Sequence, residues 1–189
     1  YPLLLPLALI FKIFGATLEA ARWTMVAFLV GTVLLAGLLA RRLYGRRAGV
    51  FAALLLATFP PMYGNGKNVL GEVPGLFFLF GTALLFLSLE RGKRAWQRFA
   101  FAGALTALTL ATKPSFLVLG PAFVLALFIG WRRGLQVTTR QTVAFCATLA
   151  VGMLVWFWTQ FGSVDPRFVL GHYVNPYGVG DMWRTVWRN

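Results

Sequence analysis

The chain is built from long apolar runs that stop at short clusters of arginine and lysine. Leu, Ala, Val and Phe recur in blocks that approach the roughly 20 residues needed to cross a bilayer. Runs of that length do not suit the buried helices of a soluble domain. The short alternating segments of a membrane β-barrel do not occur. The sequence therefore specifies an all-α fold, a polytopic transmembrane helix bundle. The 189 residues are 59% hydrophobic and 12% charged, with a formal net charge of +13. In a soluble protein that charge would suggest nucleic acid. Here the basic residues stand between apolar runs, the arrangement that orients membrane helices, so the bilayer is the expected partner and nucleic acid is not. The one cysteine, Cys146, lies inside an apolar run and has no mate for an internal disulfide.

Residues 1 to 15 are apolar but short, and Pro2 and Pro6 suit a first helical turn. They predict an interfacial or re-entrant helix. Spans are predicted at 22–40, 48–63 and 73–89, two more across 99–131 and a last at 141–161, about six in all. The pair across 99–131 is divided at Thr112-Lys113-Pro114-Ser115. Residues 1–161 form the transmembrane domain. Residues 162–189 are polar, aromatic and punctuated by Gly and Pro, the start of an extracytoplasmic loop. Of the 18 basic residues, 11 fall in the segments 41–47, 90–98 and 132–140, whereas of the five acids only Glu90 does. The positive-inside rule puts those segments in the cytoplasm and Glu19, Glu72, Asp165 and Asp181 outside. The expected location is the cell (inner) membrane, with multiple passes. The chain opens at Tyr1 in mid-run, with no signal-peptide pattern ahead of the first apolar stretch. The expectation is an N-terminally truncated piece.

Polar groups collect at three places on the outer side: Lys67 to Glu72, Lys113, and the terminal loop. Glu72 stands at a helix start, where the dipole favours a carboxylate by roughly 0.3 to 1 kcal/mol. It is either a favourable first-turn acid or a carboxylate that holds a metal or positions an acceptor hydroxyl. Lys113 precedes Pro114, where a helix must turn or break. It is either a lysine snorkelling to the interface or a ligand for an anionic head group. Lys67, in a Gly-Asn loop, carries the same two readings. Asn68, His172, Tyr173 and Asn175 offer amide donors and aromatic or imidazole rings that suit a sugar or acceptor, or else anchor the interface. A divalent metal at Glu72 is the one cofactor considered, and no second His or Cys stands at zinc-ligand spacing. The nucleophile elbow, the P-loop and the dinucleotide fingerprint are absent from the sequence. A transporter would carry ionisable groups at mid-membrane or paired broken helices. The acids here stand at helix ends. A structural membrane subunit is the third alternative.

Several stretches resemble one known family. Tyr1-Pro2-Leu3-Leu4-Leu5-Pro6 through Gly15, then Ala21-Arg22, then Leu38-Leu39-Ala40-Arg41-Arg42-Leu43-Tyr44-Gly45-Arg46-Arg47-Ala48-Gly49 are similar to the early part of C-superfamily membrane glycosyltransferases. The closest group is the dolichyl-phosphate-mannose protein mannosyltransferases and lipid A aminoarabinose transferases. Asn68-Val69-Leu70-Gly71-Glu72-Val73-Pro74 resembles the family's second acidic motif, and Ala111-Thr112-Lys113-Pro114 its Thr-Lys turn. The likeness covers most of residues 1 to 131. It implies a polyprenyl-phosphate sugar donor, a protein, lipid or glycan acceptor, and inversion at the anomeric carbon. It also implies that the main catalytic Asp precedes Tyr1, that Glu72 is a second acid, and that Lys113, with Lys67, faces the donor phosphate. A chain so truncated is expected to be inactive alone.

Overall fold

The computed structural model describes residues 3–62, 71–87, 95–132 and 138–161. Among these residues every regular element is helical. Helix α1 spans Leu4–Phe14, and Pro6 falls in its first turn, where a missing N–H is harmless. It ends at Gly15, whose φ of 84° is open to glycine. Helix α2, Leu18–Tyr44, starts on Thr17, whose hydroxyl accepts the Ala20 N–H at 3.1 Å. Glu19 in its first turn and Arg41 and Arg42 in its last complement the helix dipole. Gly45, at φ 92°, is the one-residue joint to α3, Arg46–Thr58. Phe59 then turns extended (φ −74°, ψ 113°) because Pro60 follows it.

Helix α4 is Glu72–Leu87 and α5 is Ala95–Thr112. Lys113 is extended (φ −155°, ψ 138°), again the residue before a proline, and a 3-10 turn at Pro114–Val118 leads into α6, Leu119–Arg132. The predicted division at 112–115 therefore stands where the structure breaks the helix. Helix α7 is Thr139–Phe161. A capping box starts it: the Gln141 side chain accepts the Thr138 N–H at 2.7 Å, and Thr138 Oγ1 accepts the Gln141 N–H at 3.4 Å.

The helices pack in alternating directions. Gly37 of α2 meets Gly49 and Ala53 of α3, so those two run antiparallel. Helix α4 runs parallel to α2: Thr32 Oγ1 donates to the Val73 carbonyl at 3.3 Å, and farther along both helices Gly81 faces the Leu35 side chain. Gly81 on Leu105 and Gly75 on Thr112 make α5 antiparallel to α4. Thr148 Oγ1 donates to the Ala100 carbonyl at 2.8 Å, and one turn on Gly152 packs against Ala107, so α7 runs parallel to α5. Arg41, Arg42, Arg46, Arg47, Arg98, Arg132 and Arg140 consequently share one end of the helix group. Arg140 stacks over the Trp96 ring at 5.1 Å there.

Two apolar clusters hold these contacts. Leu3, Met25, Met62 and Val73 join α1, α2 and α4. Phe99, Leu110, Leu127, Phe145 and Leu149 join α5, α6 and α7, with the Phe86 ring 5.5 Å from Phe145. The outward faces are also apolar: Phe51 is 69% exposed and Val151 60%. Threonines 32, 82, 106 and 109 are inside. That distribution suits lipid outside, not water. By length and composition, Leu18–Tyr44 and Thr139–Thr159 are the helices among the described residues able to cross a membrane. Helix α3, predicted to fill 48–63, has 13 residues, about 20 Å of rise, because the Phe59-Pro60-Pro61 step ends it early.

Candidate active site

Glu72 is the first residue of α4, and Lys113 is the extended residue just after α5. They are 41 residues apart in sequence, yet the Lys113 ammonium donates to Glu72 Oε1. The route to this pairing begins with two glycines. Gly71 lies directly against the Thr112 carbonyl: a Cβ there would stand 3.1 Å from the carbonyl carbon and closer to its oxygen. One turn on, a Cβ at Gly75 would meet Thr112 Oγ1 at 2.7 Å and the Phe116 ring at 2.9 Å or less. The start of α4 thus docks backbone to backbone on the end of α5. Thr112 is held in turn by its hydroxyl, which donates to the Thr109 carbonyl at 2.6 Å. Gly75 N–H bonds back to the Gly71 carbonyl at 2.9 Å, so the helix turn carrying Glu72 is closed.

The pair is neither fully solvated nor fully buried: the Lys113 side chain is 43% exposed and that of Glu72 28%. The two carboxylate oxygens differ. Oε1 receives the ammonium, whereas Oε2 is buried with no hydrogen-bond partner among the described residues. The oxygen within reach of a ligand is therefore Oε1, the one the ammonium holds. The site lies at the opposite end of the helix group from the arginines, and α4 begins alongside the middle of α2, at the level where Val73 meets Met25 and Thr32.

The sequence places Glu72 and Lys113 at separate outer features that could line one cavity; the structure brings them into direct contact. Lys67, Asn68, His172, Tyr173 and Asn175 lie outside the described residues. Among the described residues no three His, Cys, Asp or Glu side chains cluster, and the Glu72 carboxylate already faces an ammonium. Gly71, Gly75, Thr112 and Phe116 escape the sequence reading as parts of the site. The Gly71-Glu72-Val73-Pro74-Gly75 spacing, small residues four apart, is the signal that marks the close approach.

A separate cavity of about 770 Å³ opens between α1 and α2, lined by Ile10, Phe14, Trp23, Phe28 and Phe77, with Thr17 and Glu19 among its polar groups. Neither Glu72 nor Lys113 lines it.

No curated protein and no solved structure matches the chain. One protein-family model does, and it spans residues 3–158, which includes every residue of the Glu72–Lys113 site and agrees with the motif resemblance. With most of its length so matched, the chain belongs to the dolichyl-phosphate-mannose-protein mannosyltransferase family, a family of membrane glycosyltransferases.

Proposed function

We propose that the chain forms part of a glycosyltransferase that moves a sugar from a polyprenyl-phosphate donor to an acceptor at the extracytoplasmic face of the inner membrane. The acceptor is a protein, lipid or glycan. The observation that carries this reading is the meeting of Glu72 and Lys113 at a helix break, within residues matched to the family. We read α2 to α7 as six passes, with α1 at the outer interface. The alternating helix directions support that threading. The grouping of seven arginines at the other end of the helices supports a cytoplasmic assignment for that end.

In this reading the acceptor oxygen attacks the anomeric carbon as the bond from that carbon to the phosphate oxygen breaks. The electron pair stays on the phosphate, configuration inverts, and the acceptor proton passes to a carboxylate base, the main catalytic Asp that the family resemblance implies. Lys113 holds the phosphate and stabilises its growing charge, with Lys67 as a second cation. Glu72 acts as a second acid that accepts a hydrogen bond from the acceptor hydroxyl. Asn68, His172, Tyr173 and Asn175 are assigned to sugar or acceptor contacts.

The test is transfer of a radiolabelled sugar from a polyprenyl-phosphate donor by the full-length protein in native membranes. Glu72→Gln and Lys113→Ala are each expected to lower turnover by about a hundredfold, the scale of a lost charge-stabilising or proton-handling group. Unchanged turnover in both variants refutes the assignments.

A further inference from the structure

We infer that the Glu72–Lys113 pair is the resting state of a latch that the donor phosphate opens, which imposes donor-first binding. The inference rests on the reading of Lys113 as the phosphate ligand. Its own content is that one ammonium serves two anions in turn. The Lys113 ammonium is engaged by Glu72 Oε1, and the side chain is 43% exposed, so an incoming phosphate can reach it from solvent. The donor's phosphodiester monoanion offers that ammonium two non-bridging oxygens in place of the one Oε1.

What happens to Glu72 then follows from its surroundings. Its Oε2 is already buried and has no partner among the described residues. Once Lys113 turns to the phosphate, Oε1 loses its cation too. A half-buried carboxylate without its counter-ion gains affinity for any hydrogen-bond donor. An acceptor hydroxyl is such a donor, and it would find Glu72 free only after the phosphate is in place. Before that, Lys113 holds Oε1, and Oε2 is buried out of an incoming hydroxyl's reach. The backbone-to-backbone contact of Gly71 with Thr112 and the packing of Gly75 on Phe116 keep Glu72 in reach while the flexible lysine side chain moves.

Competition of this kind has a measurable sign. The apparent affinity for phosphate is reduced by the fraction of lysine held by Glu72, so removing the carboxylate's charge should tighten binding. The experiment titrates sugar-free polyprenyl monophosphate onto the full-length protein in nanodiscs of zwitterionic lipid. Glu72→Gln is expected to bind about fivefold tighter than the native protein, the scale of a partly exposed ion pair. Glu72→Asp, one methylene shorter, is expected to shift the same way by less, and it covers the case in which Glu72→Gln does not fold. Lys113→Gln should lose at least about tenfold in affinity, and the double variant should show none of the gain. In transfer assays Glu72→Gln should lower the donor KM while lowering kcat. A merely structural loosening would not produce that split. If Lys113→Gln weakens binding but neither Glu72 variant tightens it, the latch is overturned and the donor reading stands. If Lys113→Gln leaves binding unchanged, the phosphate assignment fails and the latch fails with it.

Discussion

Replacement of Gly71 by alanine tests how the site is assembled. The added Cβ would lie 3.1 Å from the Thr112 carbonyl carbon and 3.5 Å from Lys113 Cβ. Carbon atoms in comfortable contact lie about 3.5 to 4.0 Å apart, so the start of α4 would have to move off α5 by about 0.5 to 1 Å. The obstructing atoms are backbone and cannot rotate away. Gly71 precedes α4, so alanine brings no helix-propensity gain to offset the clash. Overpacking of this sort costs about 1 to 3 kcal/mol, and a fall in Tm of about 2 to 10 °C is expected. The shift also carries Glu72 away from Lys113, and a displacement near 1 Å at a reacting centre costs about a hundredfold in rate. The assay is thermal unfolding of the purified full-length protein together with sugar transfer in the same preparation. Gly81→Ala is the control: its Cβ meets only the ends of the Leu105 and Leu35 side chains, at 3.4 and 3.9 Å, ordinary contact distances, so both readings should stay near native. If Gly71→Ala behaves like the control, the close backbone approach that sets the pair is refuted.

Gly45→Ala should be destabilising for the opposite reason. No atom stands within 4 Å of its Cβ position, but φ is 92° and ψ 176°, a region open essentially to glycine. A loss of about 1 to 3 kcal/mol in denaturant unfolding is expected, and a neutral result would refute the strained joint between α2 and α3. Thr148→Val keeps the shape and removes the hydroxyl that bridges to the Ala100 carbonyl. It should cost about 0.5 to 1.5 kcal/mol in detergent-driven unfolding of the reconstituted protein, with Thr148→Ser near native; equal losses in both would show that packing, not the hydrogen bond, joins α5 to α7.

Much of the helical layout is legible in the chain because prolines and glycines act locally. Pro114 forces Lys113 out of the helical region, and Pro60 does the same to Phe59; both breaks can be read from one dipeptide. Gly45 between two arginine pairs marks the tightest joint in the same way. Helix lengths are less legible. Apolar composition continues to residue 59, so 48–63 reads as one span, whereas hydrogen bonding makes it the shorter Arg46–Thr58. The candidate site divides along the same line. Glu72 and Lys113 stand out individually as charges beside apolar runs, a local signal. That they touch depends on the register of α4 against α5, set by Gly71, Gly75, Thr112 and Phe116, and no local rule carries that register across 41 residues.

The pair itself calls for a reason beyond stability. An ion pair this exposed contributes about 0 to 1 kcal/mol, far less than the packing of α4 on α5 and α2 already supplies. Leucine and methionine in the same two places would bury area without any desolvation cost. The helix interior deals with its other polar groups differently. Thr106 and Thr109 each return a hydrogen bond to a carbonyl one turn back in their own helix and need nothing from a neighbour. Glu72 and Lys113 cannot do that, since each depends on a residue in another element. Their Oε2 and ammonium also keep unused hydrogen-bonding capacity. A charge pair that adds little to the fold, yet is positioned by two close-packed glycines, has the properties of a site held ready for ligands that bring their own charge and their own hydroxyl.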